Sequence, residues 1–312
     1  MTTSGNTQPV FVMMRVVASP RTVILSLLFL LMSAVPASAQ DAPPPDSSSG
    51  SWTKSLLGKL NGSQAGFQNW AEGGVNTLAI SSGLDGSAEQ ASGNWTKKST
   101  LRLSFGVVKQ DTLAFRKAED LIRLTMALNY AGNGKLLLFQ PTVAAGARTQ
   151  FAPGFNFEKN PFGDGRTPPV KVSDFLSPGT FTQSLGLAYK PKPWFSQRLG
   201  LGAKQTVVMI ESLRPLYSVD PGSSARFEFG VEAFTDFDKE IFRNVHYKST
   251  LGLFAAFNKP DLPDYLWENV VTMKVNSWLQ VNFEWSMLFD EDVSSKLQVK
   301  EVFAVGIAYK FI

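Results

Sequence analysis

The stretch that decides the fold is the last one, Gln298-Val299-Lys300-Glu301-Val302-Phe303-Ala304-Val305-Gly306-Ile307-Ala308-Tyr309-Lys310-Phe311-Ile312. Successive side chains of a strand point to opposite faces, so Val299, Phe303, Val305, Ile307, Tyr309 and Phe311 share one face, and Ala304, Gly306, Ala308 and Lys310 share the other. Large apolar residues on one side and small or charged ones on the other suit the wall of a membrane barrel, with the greasy face on lipid. A soluble sandwich would bury the same face against a second sheet. One strand leaves both possibilities open.

The pattern recurs upstream. Leu101, Leu103, Phe105 and Val107 oppose Thr100, Arg102, Ser104 and Gly106; Ile122, Leu124, Met126, Leu128 and Tyr130 oppose Arg123, Thr125, Ala127 and Asn129. Leu279, Val281, Phe283, Trp285, Met287 and Phe289 oppose Gln280, Asn282, Glu284, Ser286 and Asp290. Weaker alternation runs near Leu78–Ala88, Lys135–Phe151, Phe181–Lys190, Gln197–Ile210, Arg226–Asp236, His246–Asn258 and Trp267–Asn276. With a polar candidate at Ser63–Trp70 and the final strand, the expectation is about 12 strands, and an even count is what single-chain bacterial barrels show.

The connections discriminate between the two folds. Ser92-Gly93-Asn94, Gly132-Asn133-Gly134, Pro191-Lys192-Pro193, Asp238-Lys239-Glu240 and Asn276-Ser277 read as tight turns. Longer polar loops lie between them at Lys109–Lys117, Ala152–Ser177, Glu211–Ala225, Lys259–Tyr265 and Glu291–Leu297. Strict alternation of short and long is the asymmetry of an up-and-down outer-membrane barrel, and a Greek-key sandwich has no reason for it. Trp95, Trp194, Trp267 and Trp278 fall at or near strand ends, where a barrel would place an interfacial girdle. The predicted fold is therefore all-β, a transmembrane antiparallel up-and-down β-barrel, with a soluble periplasmic β-protein as the alternative.

The start of the chain fits export. Arg15 and Arg21 precede an apolar run from Val23 to Val35, and Ala37-Ser38-Ala39 supplies small residues before a cut ahead of Gln40, so residues 1–39 read as a cleaved signal peptide of a Gram-negative cell. Residues 40–51, with Pro43-Pro44-Pro45 and Ser47-Ser48-Ser49, have the composition of a flexible linker, which leaves 52–312 for the barrel. No later segment approaches the apolar length of a spanning helix, so a membrane form must be a closed barrel. Cysteine is absent, which excludes disulfides and thiolate metal sites. Loss of the leader reduces the 30 bases to 28 against 26 acids, and so small an excess gives no case for nucleic-acid binding.

The polar faces carry charges of both signs. Arg102, Arg123, Lys204, Glu228, Glu232, Lys274 and Glu284 are the lumen-lining candidates. A barrel of ten to twelve strands is wider than the eight-stranded case that side chains fill and far narrower than a sixteen-stranded porin. An unpaired charge in so confined a space is costly, so opposed charges are expected to pair and largely block the lumen. The loop from Ala152 to Ser177 interleaves Phe155, Phe157 and Phe162 with Pro153, Pro161, Pro168 and Pro169, too apolar for free motion, and is expected to fold over or into the barrel mouth.

Several motifs resemble one family. Gly66-Phe67-Gln68-Asn69-Trp70-Ala71-Glu72-Gly73-Gly74-Val75-Asn76 resembles the N-terminal signature of domain-of-unknown-function family 3078, found mainly in Bacteroidetes-type bacteria. Phe115–Asp120, Thr149–Phe155, Ser173–Pro178, Leu185–Pro191 and the closing Val299–Phe311 segment resemble its later motifs in the same order, over roughly Trp52 to Ile312. The resemblance implies an outer-membrane barrel of uncharacterised role. The partners expected of such a barrel are outer-membrane lipid and the barrel-assembly machinery, and a scaffold role would add an unidentified surface or periplasmic protein. Barrel-insertion signals more often end on an aromatic residue, and here Ile312 displaces Phe311 by one place.

Chemistry is not expected. A lipid hydrolase of the outer membrane would need a nucleophile and a base on one face, and His246 and Ser249 are three apart, which on a strand puts them on opposite faces. Asp290-Glu291-Asp292 and Gly163-Asp164-Gly165 carry oxygen ligands but match no calcium-loop pattern, and Gly73-Gly74 precedes a strand where a phosphate loop would precede a helix. No catalytic, cofactor or metal residue is assigned. The role expected is structural, a narrow channel or surface binding.

Overall fold

The computed structural model describes residues 50–66 and 75–312. The expected leader, nearly all of the expected linker and residues 67–74 of the family signature lie outside the described residues.

The strands are β1 (Trp52–Ala65), β2 (Thr77–Ser92), β3 (Trp95–Gln110), β4 (Arg116–Tyr130), β5 (Phe139–Thr149), β6 (Gly154–Asn156), β7 (Val170–Ser173), β8 (Gly179–Lys192), β9 (Phe195–Val207), β10 (Ala225–Phe242), β11 (Val245–Ala256), β12 (Asp264–Lys274), β13 (Leu279–Asp290) and β14 (Ser294–Lys310). All but β6 and β7 form one closed barrel of antiparallel neighbours; β6 and β7 pair with each other inside a loop. Closure joins the first strand to the last. Leu60 lies opposite Ile307 and Gly58 opposite Tyr309, and beyond the strand the Phe311 N–H still donates to the Leu56 carbonyl at 2.8 Å. Among the described residues, the barrel itself has no unpaired edge strand.

The faces sort as the alternation requires. On β14, Phe303, Val305 and Ile307 are exposed while Ala304 and Gly306 are buried. Leu279, Val281, Phe283 and Met287 of β13 stand opposite Ile307, Val305, Phe303 and Val299 and share their outward face. The row from Leu279 to Phe289 rises roughly 33 Å along the strand at ~3.3 Å per residue, or about 25 Å along the axis at a ~40° tilt. That is the height of a membrane barrel's apolar band. Aromatic pairs flank it at both ends. Trp95 meets Tyr130 edge-on at 5.0 Å and Phe139 stacks on Tyr189 at 5.1 Å near the chain-terminal end, and Tyr265 stacks on Phe289 at 5.7 Å near the other.

Both described chain ends lie at the short-turn end. There the links are residues 93–94, 193–194, 243–244, 275–278 and a longer 131–138 that contains a 3-10 turn over Gly134–Leu137. At the other end β1 finishes and β2 begins, and the links 111–115, 150–178, 208–224, 257–263 and 291–293 lie there. Asn244 takes a positive φ of 64° in its two-residue turn, a conformation asparagine tolerates well.

Four sequence expectations are corrected. The first strand is Trp52–Ala65 and not Ser63–Trp70. Its outward row of Trp52, Leu56 and Leu60 is interrupted by Lys54, Gly58 and Gly62, which hides the period. Asp238-Lys239-Glu240 is strand, because β10 continues to Phe242 with a bulge there. Glu291–Leu297 shrinks to a three-residue link, since β14 begins at Ser294. Gly132–Gly134 is only part of a longer connection, whose Leu136 and Leu137 stay exposed.

Candidate functional site

The inner face is the candidate site, and its charges lie in three tiers. Midway, Arg102 of β3 bonds Glu284 of β13 at 2.6 Å, and Arg123 of β4 holds both carboxylate oxygens of Glu268 on β12, one of them at 2.8 Å. β3 and β4 are separated from β12 and β13 by several strands in either direction around the barrel. Both pairs therefore cross the lumen. Their planar forks grip carboxylates with fixed geometry.

At the long-loop end Lys204 of β9 sits among Glu228 at 3.1 Å, Asp290 at 3.5 Å and Asp264. Its side chain is 7% exposed, so three carboxylates replace its water. Arg226 extends this tier to Glu228 at 3.1 Å and Asp292 at 2.8 Å. Lys300 reaches Glu119 across the barrel at 3.3 Å. Toward the short-turn end Arg198 donates to Glu232 at 3.0 Å from Nε, and the Ser184 hydroxyl adds another bond to the same oxygen at 3.0 Å. Phe234 and Phe254 stand on the inner face under Arg198 and Lys204, with the cations 4.9 and 5.4 Å from the ring centres.

Of the seven lumen candidates, Arg102, Arg123, Lys204, Glu228, Glu232 and Glu284 all take part in these pairs. Lys274 shares the inner face by register but lies exposed at the last residue of β12, with no ion pair among the described residues. Sequence reading missed Glu268, Asp264, Arg198 and Arg148. Parity would have found them: Arg198 falls six residues before Lys204, and Glu268 six before Lys274, each on the same face.

The long loops cap the mouth. Val208, Leu213, Tyr217 and Val219 of residues 208–224 form a buried cluster, and Phe162 of the 150–178 loop packs on it. The two loops are tied by Tyr217 Oη donating to the Val172 carbonyl at 2.8 Å and by the Met209 N–H to the Leu176 carbonyl at 3.0 Å. Burial pushes the Tyr217 hydroxyl pKa up to about 12. At the base of the 150–178 loop, Asp120 accepts the N–H groups of Phe151 and Ala152 at 2.6 and 2.9 Å. Residues 208–224 also reach the β13–β14 link, where Ser218 Oγ donates to the Asp292 carbonyl at 2.8 Å. Of the mouth-loop candidates, Phe162 packs inward, whereas Phe155 and Phe157 are 46% and 40% exposed, with the Arg116 guanidinium 4.1 Å above Phe157.

The acidic loops are occupied by cations of the chain itself. Asp164 bonds Arg166 and Asn160, which hold its carboxyl well below the usual range. At Asp292, burial works to raise the pKa but the bond from Lys259 and the charge of Arg226 outweigh it and lower it. His246 faces inward with Asp238, 2.5 Å away, and Ser249 faces outward. There Ser249 and Tyr247 donate to Asn269 Oδ1 at 2.8 and 2.7 Å, and Trp267 Nε1 donates to Ser249 at 2.9 Å, a polar knot set in the outer wall.

A closed antiparallel barrel of twelve strands with a charge-crossed lumen and a capped mouth is the class of protein these features define. Residues 63–155 match the model of the family described as a protein of unknown function (DUF3078). The motifs quoted beyond Phe155 lie outside that match. No curated protein matches the chain. Among solved structures, the translocator domain of autotransporter NalP from Neisseria meningitidis is 11% identical over 93% of this chain and 95% of its own, with a TM-score of 0.35. The NanC porin is 10% identical over 81% and 98%, also at 0.35. An outer membrane channel from Pseudomonas putida F1 is 11% identical over 88% and 98%, at 0.34.

Proposed function

We propose that this protein is a barrel of the Gram-negative outer membrane whose lumen is a narrow, self-occluded passage for small solutes and not an open porin. The observation that carries this reading is the pair of bridges Arg102–Glu284 and Arg123–Glu268, which divide the lumen from wall to wall. Membrane residence is supported by the apolar outer band, by aromatic pairs at both of its rims and by short turns at one end with long loops at the other. Outer-membrane lipid and the barrel-assembly machinery are its proposed partners, with export by the expected leader. No catalytic step is part of the reading, since Ser249 and His246 lie on opposite faces of β11.

Surface binding is the second reading, favoured by Phe155 and Phe157 standing exposed on the cap. Planar-bilayer recording separates the two. The mature protein should show small or rare current steps, and the double variant Arg102→Ser/Arg123→Ser should show larger ones. Large steady steps from the unaltered protein would overturn the occluded reading; silence from both proteins would shift the role to surface binding.

A further inference from the structure

Three guanidinium groups stand side by side on the inner wall, and two of them are bonded to a carboxylate, while the third, Arg148, has only the more distant charge of Glu268. Arg102 is registered opposite Arg123, and Arg123 opposite Arg148, so their Cβ atoms are neighbours at ~4.5–5.5 Å across β3, β4 and β5. Glu284 takes Arg102, and Glu268 takes both arms of Arg123. Among the described residues Arg148 makes no hydrogen bond or ion pair. Arginine cannot shed its proton, so a half-buried guanidinium beside two others needs an anion.

The wall next to it offers hydroxyls where a carboxylate would have closed the gap. Thr180 is registered opposite Arg148, and Thr182 opposite Gly146. The Thr182 hydroxyl lies 2.7 Å from where a Cβ on Gly146 would stand, so it overhangs the space that the glycine leaves. Neither threonine hydroxyl has a hydrogen-bond partner among the described residues. Arg148 is the next-to-last residue of β5 and Thr180 the second of β8, which sets the three groups at the long-loop end, beneath the base of the 150–178 loop.

We propose that Arg148, Thr180 and Thr182 form a site for a small oxyanion, a phosphate, sulfate or carboxylate group, on the inner wall below the cap. The guanidinium grips two oxygens of the anion through its planar fork, and the hydroxyls donate to the remaining ones. Occupation of the site does not depend on whether the lumen conducts.

The test is calorimetric titration of the mature protein, folded in detergent micelles, with inorganic phosphate at constant ionic strength. Saturable binding is expected. Arg148→Gln should weaken it at least ~10-fold, the loss of a charge-assisted contact, and Arg148→Lys should retain part of it. Thr180→Val/Thr182→Val should weaken it by a smaller factor. Migration on unheated gels reports whether each variant is folded, and the threonine pair decides the matter if Arg148→Gln fails to fold. The proposal is overturned if the folded unaltered protein shows no saturable binding, or if phosphate binds equally well to a folded Arg148→Gln or to the threonine variant.

Discussion

Replacing Glu268 by glutamine is the sharpest perturbation of the lumen. It removes the carboxylate that both arms of Arg123 hold, and leaves the guanidiniums of Arg102, Arg123 and Arg148 with Glu284 across the barrel and Asp85, already paired with Lys59, beside Arg102. Arg123 and Glu268 are only 18% and 15% exposed, so water screens them little. Removing one partner of so enclosed a pair costs ~3–5 kcal/mol, most of it the cost of stranding the other charge. Removing both should cost much less, because Arg123→Gln/Glu268→Gln strands neither bonded partner, and Arg148 loses a repelling and an attracting neighbour together. The cycle formed by the two single variants and the double should give a coupling of at least ~3 kcal/mol, at the top of the range for residues in contact. Urea unfolding of the barrel in lipid vesicles, followed by tryptophan fluorescence, measures all four proteins. If the double variant loses the sum of the single losses, the two groups do not support each other and the waist is not held by this bridge.

Three further outcomes are expected. Val305→Arg puts a charge on the outward face of β14 and should cost ~2–4 kcal/mol in vesicles if that face meets lipid; an unchanged unfolding curve would deny the contact. Deleting Asn160 to Thr167 removes Phe162 from the cap's buried cluster, so residues 208–224 should become sensitive to protease and bilayer current should rise; unchanged protection and current would mean that the loop does not hold the cap. Asp292 has a folded pKa below its ordinary value of 3.8, so its contribution is full above that value and is lost as pH falls through the folded one. The contribution is under ~1 kcal/mol for a partly exposed group; the unaltered cap should loosen in acid below pH 3.8 while Asp292→Asn shows no such step, and identical acid profiles of protease sensitivity would refute it.

The strands were legible wherever one face was uniformly apolar. β13 and β14 are two such cases, and the structure pairs their apolar rows directly, Phe283 with Phe303 and Val281 with Val305. β1 was not legible, because glycines and Lys54 interrupt its outward row and its place is fixed by hydrogen bonds to β2 and β14, which lie far away in sequence. The β10 hairpin misled because Asp238, Lys239 and Glu240 have turn composition, yet tertiary pairing with Tyr247 and His246 keeps them extended. Parity told which charges face inward. It did not tell which would meet, since Arg102 and Glu284 stand 182 residues apart and are joined only by closure of the barrel. The cap was half legible: the phenylalanines of residues 152–177 pointed to packing, but only Phe162 packs, and the cluster of Val208, Leu213, Tyr217 and Val219 that it meets belongs to another loop and has no local signal.

The measurement that bears most directly on a membrane barrel is heat modifiability of the mature protein after extraction from cell membranes. Detergent should be required to release it, and the unheated protein should run faster on a denaturing gel than the boiled one, because a closed twelve-strand barrel resists the detergent until heated. Release by salt or urea alone, with the same mobility before and after boiling, would contradict it.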